Sequence, residues 1–190
     1  MSTIFFEEEY KKKNFQTTEL IQGEYEECRF KNCNFEGLDL SNYIFEDCEF
    51  IDCNWSNVNL NLTSLKELRF INCKMVGVDF SICNAFLLGL SFDTCLLEFA
   101  SFYQLNLKGI HFINCNLTEV DFTETNLDKA VFSECNMLNT KFDYTLLNGA
   151  DFTTASNFVL DPERNQLQKA LFSTSGLAGL LTKYEIKIID

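Results

Sequence analysis

Large apolar side chains recur along this chain at every fifth residue, within a repeating order of small, polar and large positions followed by two mostly polar ones. They fall at Phe15, Leu20, Tyr25, Phe30, Phe35, Leu40, Phe45, Phe50, Trp55, Leu60, Leu65, Phe70, Met75 and Phe80. They resume at Phe92, Leu97, Phe102, Leu107, Phe112, Leu117, Phe122, Leu127, Phe132, Met137, Phe142, Leu147 and Phe152. Two positions before each stands a smaller residue, most often Cys, Thr, Ala, Val or Leu, and the residue between is often Asn or Asp. An α-helix cannot use this period, because five steps of about 100° turn each large residue about 140° from the last. A plain strand cannot either, since every fifth residue alternates between its faces and only one face is buried. A coil that turns a corner at each repeat points both the small and the large residue inward, which predicts an all-β solenoid.

The cysteines count the sides of the coil, because stacked coils place like beside like. Five cysteine pairs lie 20 residues apart, including Cys33/Cys53 and Cys115/Cys135, against one pair at 15. Four repeats per turn make a quadrilateral prism with Cys33, Cys53, Cys73, Cys95, Cys115 and Cys135 in one inner column. Phe30, Phe50, Phe70, Phe92, Phe112, Phe132 and Phe152 form another, with Tyr10 beneath. From Phe15 to Phe152 there are about seven coils, a rod roughly 34 Å long at about 4.8 Å per layer. The step from Ala85 to Phe92 is seven residues where five are expected, which predicts a two-residue bulge at Phe86, Leu87 and Leu88. Tyr43 is large where a small residue belongs, so it is expected to distort its corner or turn outward.

These signals divide the chain into a cap segment at 1–9, the β-helix at 10–158 and a tail at 159–190. In the tail, Asp161 is a good N-cap and Pro162 a good first helical residue. Leu177, Ala178, Leu180 and Leu181 make an apolar stripe on a short helix between Ser175 and Tyr184, followed by a β-branched end of Ile186, Ile188 and Ile189. An open solenoid end exposes core residues and unpaired backbone, and this tail is placed to cap it or to recruit a partner.

Composition narrows the function. The chain carries 28 acidic and 15 basic side chains in 190 residues, a net charge of −13. A surplus of that size opposes the phosphate backbone, so direct nucleic-acid binding is not expected. No stretch approaches eighteen apolar residues, and the start MSTIFFEEEYKKK lacks the order of a signal peptide, so no membrane association and a cytoplasmic location are expected. Nine cysteines, an odd number, are expected as structural thiols; they share one inward slot and do not converge as metal ligands would. His111, the single histidine, occupies an outward slot with no nucleophile implied beside it. The eight glycines are scattered, mostly at corners such as Gly37, Gly77, Gly109 and Gly149, and form no phosphate loop. No catalytic residue, cofactor or metal site is expected.

Runs such as CRFKN-CNFEG, CEFID-CNWSN, VDFTE-TNLDK-AVFSE-CNMLN and ADFTT resemble the pentapeptide repeat proteins over about residues 10 to 158. The resemblance implies a right-handed quadrilateral β-helix. Size, acidity and tail are similar to the topoisomerase-protecting branch, the Qnr-type quinolone-resistance and microcin-immunity proteins. It implies a tail helix and final strand forming a head-to-head homodimer, here through Leu177, Leu180, Leu181, Tyr184, Ile186 and Ile188. The long loops of some resistance proteins have no counterpart beyond the bulge, so the compact microcin-immunity type is the nearer match.

The acidic residues sort to one edge of the N-terminal half: Glu24, Glu26 and Glu27, then Glu46 and Asp47, then Glu67, with Glu19 and Asp39 on the side before and Lys66 interrupting. Stacked like charges repel, which points to a use for them. With the bulge residues they form the expected partner-binding surface. The resemblance implies that this acidic rod mimics DNA towards gyrase or topoisomerase IV; a non-catalytic scaffold for an unrelated partner is the alternative.

Overall fold

In a computed structural model, which describes residues 3–187 and 189, the chain winds as a parallel β-solenoid. One side is a ladder of nine strands: Glu9–Lys11, Arg29–Lys31, Glu49–Ile51, Leu68–Ile71, Leu90–Asp93, His111–Ile113, Val131–Ser133, Asp151–Phe152 and Leu171–Phe172. Nine rungs make eight steps. The side before it begins as the four-stranded ladder Thr3–Phe6, Gly23–Glu26, Ile44–Glu46 and Ser64–Lys66. The other two sides are held by single parallel bridges, such as Asn34↔Asn54 and Asp121↔Lys141. Pairing is in phase at 20 residues, Phe30 on Phe50 and Phe112 on Phe132, and at 22 across the bulge, where Phe70 meets Phe92.

Each slot of the repeat has a distinct task. Large residues fill the bore and stack along it, with ring centroids 4.9 Å apart for Phe30–Phe50 and 5.2 Å for Phe92–Phe112. Where the small inward residue is Cys or Thr, it donates to the carbonyl of the large residue 23 positions earlier, one coil below. Thiols do this from Cys53 to Phe30 at 3.4 Å and from Cys73 to Phe50 at 3.3 Å, and hydroxyls from Thr125 to Phe102 and Thr145 to Phe122, each at 2.8 Å. Such a donor satisfies a buried carbonyl, although Val78, Ala100, Val120, Ala130 and Ala150 fill the same slot without one. The Asn or Asp ahead of the large residue accepts from the N–H two residues on, as Asn54 does from Ser56 and Asp121 from Thr123, and so tightens the corner. Corners recur at left-handed positions with φ near 50–70°, taken by Asn32, Asn72 and Asn114, by Gly37 and Gly77, and by Glu27, Leu62 and Phe99.

Several expectations are corrected. The ladder starts at Thr3, inside the segment assigned as a cap, and continues past residue 158 to Phe172, which stacks on Phe152 at 5.2 Å. Tyr43 does not turn outward: it is buried, and its hydroxyl donates to the Leu20 carbonyl at 2.7 Å, 23 residues back, as a thiol would. Asp161 caps no helix; its carboxylate accepts from the Glu163 N–H within a turn. The tail forms 3-10 helices at Thr174–Leu180 and Thr182–Tyr184, and no strand follows them among the described residues. The bulge is present. Phe86 and Leu87 are exposed, Leu88 is half-buried against the core, and Gly89 passes so close to Glu67 that a Cβ there would lie 2.6 Å from its carboxylate.

Candidate functional site

Because a corner recurs in phase on every coil, residues at one corner form a column. Glu7, Glu27, Asp47 and Glu67 occupy the corner entering the nine-stranded side, all left-handed, with φ of 52°, 54°, 52° and 49°, and all exposed. Beside it on the preceding side, Glu26 and Glu46 are in register with Lys66, whose ammonium pairs with Glu46 at 2.7 Å. Glu24 stands two residues back on the same strand, in register with Ile44. The expected acidic edge is therefore assembled, apart from Glu19 and Asp39, which lie across the intervening side. Asp39 is engaged there in a turn: it accepts from the Ser41 hydroxyl and from Asn59 Nδ2 at 3.0 Å, and the Ser41 bond holds its carboxyl below the usual range.

On the nine-stranded side the charges neutralise one another. Glu9, Arg29, Glu49 and Arg69 alternate in one row, and Glu49 is held between Arg29 at 2.7 Å and Arg69 at 3.6 Å. A shallow groove of about 820 Å³ runs between this row and the corner column. The net negative potential thus sits on the corner and on Glu26. Beyond the bulge the same corner reverses sign: its residues are Gly109, Lys129, Gly149 and Lys169, again at positive φ. Phe86 and Leu87, 69% and 62% exposed, lie between the acidic and the lysine-bearing stretches of this corner.

Sequence reasoning missed Glu7. Its signal was the 20-residue step that joins it to Glu27, Asp47 and Glu67.

Within the tail, Leu180 packs against the core, whereas Leu177, Tyr184 and Ile186 are exposed and Leu181 is partly so. Ile188 lies outside the described residues. Much of the tail is used within the chain. Gly179 abuts Phe158, where a Cβ would come within 2.2 Å of the Phe158 carbonyl; Lys183 bridges Asp161 at 2.6 Å and Glu163 at 2.7 Å; and the Tyr184 hydroxyl donates to Glu163.

All nine cysteines are buried and unpaired, and burial pushes the Cys48 thiol up to about 12 and Cys83 to about 11. Among the described residues no group of three or more His, Cys, Asp or Glu is placed to hold a metal, and no helix is long and apolar enough to cross a membrane.

No curated protein matches the chain. Among solved structures, a trypsin-treated form of QnrB1, a plasmid-mediated fluoroquinolone resistance protein, is 20% identical with a TM-score of 0.49 over 97% of this chain and 99% of that one. Full-length QnrB1 is 18% identical with a TM-score of 0.44, covering 97% and 100% of the two chains. HetL, from the cyanobacterium Nostoc sp. strain PCC 7120, a pentapeptide repeat protein involved in heterocyst differentiation regulation, is 16% identical with a TM-score of 0.37, covering 92% and 88%. The family model for the pentapeptide repeat region matches residues 23–102 and 89–157, most of the coils described above, and the chain belongs to the pentapeptide repeat family.

Proposed function

We propose that this protein is a non-catalytic, cytoplasmic DNA mimic that binds a type II topoisomerase, DNA gyrase or topoisomerase IV, and protects it from a drug or peptide toxin. The observation that carries the reading is the column Glu7, Glu27, Asp47 and Glu67 flanked by Glu26 and Glu46. Four coils span three steps, about 14 Å. Over about 14 Å a duplex carries roughly eight phosphate charges, of which about half face one side. Six carboxylates less Lys66 leave the edge with a comparable charge, on a backbone that is already ordered and loses little freedom on binding. The exposed Phe86 and Leu87 at the end of the column add the apolar contact that a phosphate comb alone lacks.

A basic saddle that normally holds DNA is the complementary surface. Occupying it displaces DNA, and with it a poison that acts on the cleaved DNA complex. The test is direct binding of the purified chain to gyrase and topoisomerase IV, with supercoiling assays run with and without a poison. Binding that relieves poisoning supports the reading; no binding to either enzyme hands the surface to an unrelated protein partner, for which Phe86 and Leu87 are equally suited.

A further inference from the structure

We propose that the N-terminal end of the rod, which no described residue covers, is an isologous interface with a second copy of this chain, formed by antiparallel pairing of the edge strand Glu9–Lys11 about Tyr10. The two ends of the solenoid are finished differently. At the C-terminal end the chain's own tail is seated on Phe158 through Gly179 and tied by the Leu160 N–H to the Gly179 carbonyl at 3.1 Å. At the other end Glu9–Lys11 and Thr3–Phe6 are the terminal rungs of their ladders. The Tyr10 ring stacks on Phe30 at 4.7 Å and remains partly exposed. An uncovered parallel edge is a template for another strand.

The backbone says which strand fits. Along a paired strand, alternate residues turn their N–H and C=O to the same neighbour. Glu8 accepts from the Arg29 N–H and the Lys12 N–H donates to Lys31, both at 2.9 Å, so these residues bond into the coil above. Glu9 and Lys11 therefore direct their N–H and C=O to the open end. In an antiparallel pair centred on Tyr10, Glu9 of one copy meets Lys11 of the other as a doubly hydrogen-bonded pair, twice over.

The side chains select the same arrangement. Residues 7–13 read Glu-Glu-Glu-Tyr-Lys-Lys-Lys, so inversion about Tyr10 exchanges acid for base at all three steps. Glu7 then meets Lys13, Glu8 meets Lys12 and Glu9 meets Lys11, with the converse contacts across the axis; all six residues are exposed in the single chain. The Lys11–Glu9 ion pair at 2.7 Å, itself exposed, is free to exchange partners. Shape agrees as well. A coil climbs by the same amount on either side of the middle of Glu9–Lys11, so a two-fold axis there sets the low flank of one copy against the high flank of the other.

Sedimentation of the full chain tests this. The expected result is a dimer that weakens as salt rises. One triple variant, Lys11→Glu, Lys12→Glu and Lys13→Glu, and another, Glu7→Lys, Glu8→Lys and Glu9→Lys, should each self-associate roughly 100-fold or more weakly, since like charges then face each other. An equimolar mixture of the two should restore the dimer, which also shows that both variants are folded. Tyr10→Cys should cross-link across the axis under mild oxidation. A wild type that stays monomeric at high micromolar concentration overturns the proposal. So does a dimer unaffected by either triple variant but lost on deleting residues 171–190, which would place the contact at Leu177, Tyr184 and Ile186.

Discussion

Phe112 and Phe132 lie flat on one another on neighbouring rungs, ring centroids 5.5 Å apart and planes 4° from parallel. Phe92 stacks beneath at 5.2 Å, and Phe102 and Phe122 present their edges at 5.9 and 5.7 Å. The core is thus a continuous column of rings, each held by the coil above, the coil below and the adjacent side, with no second layer of structure to take up slack.

Phe112→Ala should therefore open a cavity that its neighbours cannot fill, at a cost of roughly 3 to 5 kcal/mol. Cys115→Ala removes only a weak donor, shared between the Ile113 carbonyl at 3.3 Å and the Phe92 carbonyl at 3.7 Å, and should cost about 1 kcal/mol. Denaturant melts of the two variants check this; equal shifts would show that the two inward slots do not differ as described.

The number of sides, the phase of the columns and the bulge were legible because the inward slots admit few residue types. The first coil was less so, for a physical reason. Its small slots hold Glu8 and Lys13, both exposed, where later coils hold Cys28 and Cys33. The donor in that slot serves the coil below, and among the described residues the first coil has none beneath it, so the slot is released from the pattern and the repeat fades from view. The last coil was hidden in a similar way. Asn165 takes the slot and donates to the Phe142 carbonyl at 3.1 Å, 23 residues back, yet an Asn beside Asp161 and Pro162 reads as a helix start. The acidic edge was legible from the same register, except at Glu7, which lies in that faded first coil. The 3-10 path of the tail is set by the approach of Gly176 and Gly179 to Phe158, a contact that no local pattern announces.

Tyr43→Phe isolates the donor role of the slot. The ring stays, stacked with Phe45 at 6.0 Å, but the Leu20 carbonyl loses the hydroxyl 2.7 Å away. The expected loss is about 1 to 2 kcal/mol, the cost of leaving a buried acceptor unpaired. A melt unchanged from wild type would mean that water reaches Leu20.

Stability should fall in alkali. Burial raises the Cys48 thiol from an ordinary 9.0 to about 12 and Tyr10 from 10.0 to about 12. Between those values the unfolded chain has released protons that the folded chain still holds, so the folded state loses ground as pH rises. Full stability is present below about pH 9 and declines from there towards pH 12. Urea midpoints measured from pH 7 to 11 should stay level and then drop; a midpoint that rises above pH 9 would contradict buried, neutral thiols. The native cysteines should also be slow towards thiol reagents until the protein unfolds.

Charge reversal on the acidic edge separates recognition from folding. Glu26, Glu27 and Asp47 are exposed, and neither Glu26 nor Asp47 takes part in an ion pair seen among the described residues, so the triple change Glu26→Lys, Glu27→Lys and Asp47→Lys should shift the melt little. It relieves repulsion along the column while leaving the Glu46–Lys66 pair intact. If a basic DNA saddle is the partner, the variant should bind gyrase or topoisomerase IV more weakly, chiefly through a slower on-rate, and the gap from wild type should be widest at low salt, where steering is least screened. Reversal at Lys129 and Lys169, on the same corner beyond the bulge, should leave binding unchanged or strengthen it. Association rates across a salt series decide the matter: if the triple variant binds as wild type does at every salt concentration, the acidic column is a solvated face and contact must rest on Phe86 and Leu87.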